Sequence, residues 1–235
     1  MQKEDIIIGV HGAHQEEGGR FNILNSCTKS LVKAFHNNGV KAYSVKECIE
    51  NKFPINLTVG LNVSGYETWD TILSNNIPNI MWNVDSIFYQ NMQAIEKFGE
   101  NPNFALLSVT PCDQEAIAKY FPSLQYSYLP GALDLDLWKP QACEKEFDIV
   151  YFSSMFDYEQ KLLELQQKVQ PELLSVMLDI YEIAFTYPTL SFWQVTQMVS
   201  KERGIEFDKN QYNFIFHNLI YIIDYARRTL LVQSL

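Results

Sequence analysis

The chain has no CxxC pair, no long apolar run and no basic cluster, and each absence closes off a class of protein. Its four cysteines, Cys27, Cys48, Cys112 and Cys143, are scattered. Neither a zinc site nor a disulfide framework is indicated, and buried reduced thiols in a reducing compartment are expected. No stretch approaches the roughly 18 to 20 uninterrupted apolar residues of a membrane span. The N-terminal "MQKEDIIIGVHG" has too short an apolar core for a signal peptide. A soluble, cytoplasmic chain is the expectation. The formal net charge is −10 and the only adjacent basic pair singled out is Arg227-Arg228. That balance repels a polyanionic backbone, so no nucleic-acid partner is expected. Internal repeats and low-complexity linkers are also missing.

What is present is a folded composition: 235 residues, 47% hydrophobic and 14% aromatic. This suffices for one large or two small domains with a sizeable core. Over the first two thirds, short β-rich runs alternate with helical patterns. Strands are predicted at 5–10, 41–45, 57–65, 77–84, 104–110 and 125–131. A helix over 22–39 places Ile23, Leu31, Val32 and Phe35 at helical spacing before an Asn-Asn-Gly stop. Further helical pieces are expected at 66–75, 86–99 and 112–120, the last with Thr110 as cap before Pro111. The alternation predicts βαβ units and a Rossmann-like parallel α/β sheet over about 1–140. A strand at 147–154 follows, and then helices at 157–169, 171–185, 191–203 and 209–233. Pro171 suits a first helical turn, Pro188 marks a break and Gly204 a helix end. Residues 141–235 thus read as a strand plus a mostly helical segment.

In doubly wound sheets ligands bind beyond the carboxyl ends of the strands. The loop after the first strand, "GVHGAHQEEGGRF" at 9–21, is the richest such position. His11, His14, Glu16 and Glu17 have the chemistry of metal ligands, but HxxH on a loop is not the HExxH helix and no distant third ligand stands out. Gly18, Gly19 and Arg20 instead suit a phosphate cradle at the start of a helix, although the spacing is not GxGxxG. A polar loop that merely starts a helix is the plain alternative. His11 is the first candidate for a general base, against a histidine bonded to loop backbone. Asp85, after the strand "IMWNV", either serves an acceptor hydroxyl or caps the next helix. Trp82 offers either a face to a sugar ring or core packing, and Gly65 with Tyr66 ends a third strand of the same edge. His36 and His217 lie in helical patterns and read as structural. The pairs Asp134/Asp136 and Glu144/Glu146 read as solvated loop charges, and the Leu129-Pro130-Gly131 turn as structural.

Several segments in this order resemble the CgeB-like (DUF3880-type) bacterial glycosyltransferases of the GT-B class. They are "NIPNIMWNVDSIFYQN" (76–91), "FALLSVTPCDQEAIAKYFPSLQYSYLPGALDLDLWKP" (104–140), "FDIVYFSS" (147–154) and "YARRTLLVQSL" (225–235). Pro78, Trp82 and Asp85 match a Pro, Trp, Asp strand end, and Leu129-Pro130-Gly131 a "LPxGxD" turn whose aspartate, Asp134, stands one residue late. "YFSS" stands where "FVGS" is expected.

The resemblance implies two Rossmann-like domains facing a cleft, with the acceptor on the N-terminal one and a nucleotide-sugar donor on the other. This chain would be the N-terminal, acceptor-side part plus the helical region leading onward. The implied partners are a nucleotide sugar and a hydroxyl acceptor, with no resident cofactor or metal. Gly18, Gly19 and Arg20 would face the donor phosphates, and His11 or Asp85 would take the acceptor proton. The apolar helix at 209–235 ends without glycine, proline or polar tail. It suggests a cut at a domain boundary, packing of a missing domain, or homo-oligomer contacts. Without a donor domain the chain alone is expected to be inactive. A non-catalytic interaction module, or a sugar- or nucleotide-binding module, is the competing reading.

Overall fold

The computed structural model describes residues 6–11, 23–61, 76–90, 92–131 and 157–234. The chain divides into two compact units, Met1–Trp138 and Lys139–Leu235. The first is an α/β unit. Its strands are β1 (Ile7–His11), β2 (Lys41–Ser44), β3 (Leu57–Leu61), β4 (Asn79–Asn83), β5 (Phe104–Ser108) and β6 (Gln125–Tyr128). They form one sheet in the order β2-β1-β3-β4-β5-β6 with every pairing parallel, the Rossmann-like arrangement expected. Its described helices are α1 (Ile23–Asn37), α2 (Val45–Asn51), α3 (Ile87–Gln90), α4 (Met92–Phe98) and α5 (Gln114–Tyr120).

Strand register sorts the side chains onto two faces, because neighbours along a strand alternate sides. Ile8, Val10, Ala42 and Val59 form a buried cluster on one face, and Leu31, Val32 and Phe35 of α1 pack against it. The apolar positions of the 22–39 pattern are therefore what seats α1 on the sheet. His36, in the last turn of α1, donates a ring hydrogen bond to the Ala42 carbonyl (2.7 Å) and meets Tyr43 edge-on. The opposite face carries Gly9, where an added Cβ would lie 3.1 Å from Val45 Cγ2. Glycine lets α2 approach the sheet there. Buried Met81, Phe104 and Leu106 belong to the same face, and Phe98 of α4 contacts Phe104.

Two local predictions need correction. Helix α2 stands where no helix was expected. Ser44 opens it with a capping box: its hydroxyl accepts from the Glu47 amide, and Glu47 reaches back to the Ser44 amide. The helix predicted over 86–99 is described as α3 and α4, on either side of residue 91, which lies outside the described residues. Thr110 gives no side-chain cap: Pro111–Asp113 form a 3₁₀ turn, and the Thr110 amide is held instead by Ser108 Oγ at 3.0 Å. The predicted segments at 66–75 and 147–154 lie outside the described residues.

The second unit is helical: α6 (Tyr158–Lys168), α7 (Pro171–Thr186), α8 (Phe192–Arg203) and α9 (Lys209–Ser234). It has a core of its own, built on Met177, Ile180, Val195, Tyr212, Ile215 and Leu219. Pro171 sits in the first turn of α7, and Gly204 ends α8 in the left-handed conformation at φ 63°. Within it Arg203 is paired with Asp179 and donates to Ser175 Oγ (2.9 Å), while Arg227 donates to the Ala184 carbonyl near the end of α7. Among the described residues no helix is long and apolar enough to cross a membrane.

Candidate functional site

The strand order reverses once. Strand β1 is followed by its neighbour on one side, β2, and β3 then pairs on the other side of β1. The carboxyl ends of β1 and β3 therefore lie side by side, with His11 opposite Gly60. A doubly wound sheet opens its ligand crevice at such a reversal, because successive crossovers leave on opposite faces there. The segments leaving this point are 12–22 and 62–75. They hold Gly18, Gly19, Arg20, Gly65 and Tyr66, as well as His14, Glu16 and Glu17, all outside the described residues.

His11 is the last residue of β1 and is only 4% exposed. Register places it on the face of Gly60 and Met81. Trp82 points to the other face, beside Leu61 and Leu107, and is half-buried. The two sequence candidates thus flank the sheet from opposite sides. Among the described residues the Trp82 indole Nε1 is buried without a hydrogen-bond partner. Asp85 stands two residues past β4 on the same carboxyl edge and is exposed.

Around Asp85 the structure gathers polar groups that the sequence did not announce. Asn83, fully buried, donates from Nδ2 to the Asp85 carbonyl (2.7 Å), and its own carbonyl accepts from the Val109 amide (3.1 Å). Asp113, 4% exposed, accepts from Ser86 Oγ through Oδ1 (3.0 Å) and from the Ile87 amide through Oδ2 (3.1 Å). Burial pushes its carboxyl up to about 6, and those two hydrogen bonds hold it from rising further. Tyr126 of β6 donates to the Thr110 carbonyl (3.3 Å). Its phenol is raised chiefly by burial, with the nearby Asp113 and Cys112 adding to the effect and a bond to Ser108 opposing it.

The edge from β4 to β6 is thus a hydrogen-bonded acidic and hydroxylic rim around one exposed carboxylate. A carboxylate so placed accepts hydrogen bonds from hydroxyl groups and repels anions. Among the described residues no group of three or more His, Cys, Asp or Glu side chains is disposed to hold a metal ion. No protein-family model, curated protein or solved structure matches the chain.

Asp113 is the residue that sequence reasoning missed. In "TPCDQEAIAKYF" it reads as an acidic first-turn residue of the following helix, which such residues commonly are. Its partners Ser86 and Ile87 lie 27 and 26 residues upstream. The available signal was positional: an aspartate just beyond a strand's carboxyl end.

Proposed function

We propose that the chain is the N-terminal, acceptor-side part of a nucleotide-sugar-dependent glycosyltransferase of the GT-B class, moving a sugar onto a hydroxyl acceptor. The observation that carries this reading is the strand reversal between β1 and β3. The segment that leaves β1 at that point has the sequence "GAHQEEGGRF", so a Gly-Gly-Arg run lies six residues beyond a strand end of the kind where diphosphates are bound. In this reading Gly18, Gly19 and Arg20 receive the donor phosphates, and Gly65 and Tyr66 line the neighbouring strand end. Trp82 contributes apolar surface to a sugar ring. His11 or Asp85 takes the acceptor proton as the new glycosidic bond forms, and the diphosphate leaves toward the glycine-rich segment.

Calorimetric titration with UDP- and GDP-sugars tests this, on this chain and on one extended through any downstream reading frame. Transfer or hydrolysis confined to the extended form supports the proposal. Absence of binding in both sinks it.

A second reading, a non-catalytic interaction module, is favoured by one observation. Phe214, Leu230, Leu231 and Val232 on α9 are all more than 40% exposed. Sedimentation of the chain over a concentration series tests it, since self-association through α9 is weakened by Leu231→Lys and an isolated monomer gives no change.

A further inference from the structure

Between Pro111 and Glu115 the chain runs over the surface with one exception. Pro111, Cys112, Gln114 and Glu115 are exposed, whereas Asp113 between them is 4% exposed. Apolar anchoring resumes at Ala116 and Ile117 of α5. On the upstream side Thr110 is tied through its amide to Ser108 Oγ (3.0 Å) and through its carbonyl to the Tyr126 hydroxyl (3.3 Å). Between those two points one side chain fastens the 3₁₀ turn Pro111–Asp113 to the rest of the unit. The Asp113 carboxylate accepts from Ser86 Oγ (3.0 Å) and from the Ile87 amide (3.1 Å), both on the segment that leaves β4. That receiving side is fixed, since Ile87 and Phe88 are fully buried. The Asp113 amide adds little, reaching the Thr110 carbonyl at 3.4 Å.

Protonation decides how well such a carboxyl tolerates its place. The neutral acid can stay buried, whereas the anion is drawn to water or to a cation. Among the described residues no Lys, Arg or His side chain pairs with Asp113. The titratable groups around it offer no positive charge: the Tyr126 phenol from β6, the Cys112 thiol of its own turn, Glu115 at the start of α5 and exposed Asp85 on the segment that carries Ser86.

We propose that Asp113 is a pH-sensitive clasp, which with its proton on holds the 111–113 turn against the start of α3 and on ionising lets that turn swing into solvent while the sheet stays paired. The device is independent of what the carboxyl edge binds. In the closed turn the carboxyl titrates at about 6, and in an open turn it meets water and titrates near 3.8, so opening releases a proton between those values. The closed turn is fully favoured below 3.8 and loses that advantage as the pH climbs through 6. The ratio of open to closed turn should grow roughly sixtyfold between about pH 4 and about pH 8.

Hydrogen exchange of the full chain at the Ile87 amide, which bonds to Asp113 Oδ2, reads the opening, and the carboxyl carbon shift of Asp113 reads its titration. Ile87 protection, referred to a free peptide at the same pH, should fall roughly sixtyfold over that range. Low urea should leave it unchanged, because the opening exposes little surface, whereas the β4 and β5 amides should exchange more slowly and respond to urea. D113N should make Ile87 protection flat with pH. S86A removes a bond that holds the carboxyl's titration down, so it should move that titration and the fall in Ile87 protection together to higher pH; it serves if D113N does not fold.

Three results overturn the clasp: Ile87 protection that stays flat with pH in the wild type, an Ile87 exchange rate and urea dependence shared with the β4 and β5 amides, or the same fall in D113N. A carboxyl that titrates near 3.8 in the folded chain overturns it as well.

Discussion

Replacing Asp113 with asparagine should make the α/β unit more stable at neutral pH and leave it little changed in acid. The carboxyl is 4% exposed and titrates in the folded chain at about 6, against 3.8 for an unperturbed aspartate. Burial is the leading cause, so the cost falls on the ionised form. The folded chain keeps the proton up to about pH 6 and the unfolded chain only up to 3.8, so folding takes up a proton between those values. Stability from this group is complete below 3.8 and is lost as the pH climbs through 6. At 1.36 kcal/mol per pH unit the loss amounts to about 3 kcal/mol. Asparagine removes the ionisation and keeps an oxygen for the Ile87 amide, while its NH₂ can donate to Ser86 Oγ.

The stability of D113N minus that of the wild type should therefore rise by roughly 2 to 3 kcal/mol between about pH 4 and about pH 7.5. The other carboxylates of the chain cancel in this difference. Urea denaturation followed by hydrogen exchange at the β4 and β5 amides measures it in the α/β unit, apart from the helical one. A difference that stays flat with pH would refute the burial argument. So would a variant several kcal/mol less stable at neutral pH, which would mean that the charge-assisted bonds outweigh desolvation.

Two further substitutions test local structure. Ser44→Ala removes half of the capping box at the start of α2 and should cost about 1 kcal/mol, read from urea denaturation of the α/β unit. Gly204→Ala forces a Cβ onto a left-handed residue at φ 63°, where nothing lies within 4 Å to clash. Its cost should be backbone strain alone, roughly 1 kcal/mol, seen as a lower unfolding midpoint of the helical unit.

Fold class was legible because the signals are local. "DIIIGV", "LTVGL" and "FALLS" are apolar enough to be buried on both faces, and such strands belong in parallel sheets. The four helices after 157 were equally open to reading: Pro171 and Gly204 mark their ends, and their apolar residues recur at helical spacing. The α2 helix was written in the sequence as Ser44-Val-Lys-Glu47, but seven residues between two strands carry too little periodicity to stand out from a loop. The carboxyl-edge polar network was not legible at all. Asn83, Ser108 and Asp113 look like loop-forming residues one at a time, and only strand register brings Asn83 opposite Ser108. Trp82 illustrates the limit from the other side. Its place at a strand end was readable, whereas the face it takes relative to His11 depends on a register spanning three strands.

The order of the strands also governs how this edge comes into being. Strand β1 is the first to be made, yet its second partner arrives late: Ile8 pairs with Leu57, about fifty residues on, the longest loop closure among the sheet's strand pairs. Pairings further along, from β3 through β6, close over only about twenty to twenty-five residues each. The Asn83–Asp85–Asp113 rim can therefore assemble on its own side of the sheet before β1 is sealed against β3. His11, at the end of β1, meets that side of the sheet through the longest of these closures. The rim around Asp85 thus depends on short closures alone, whereas the end of β1 depends on the longest one.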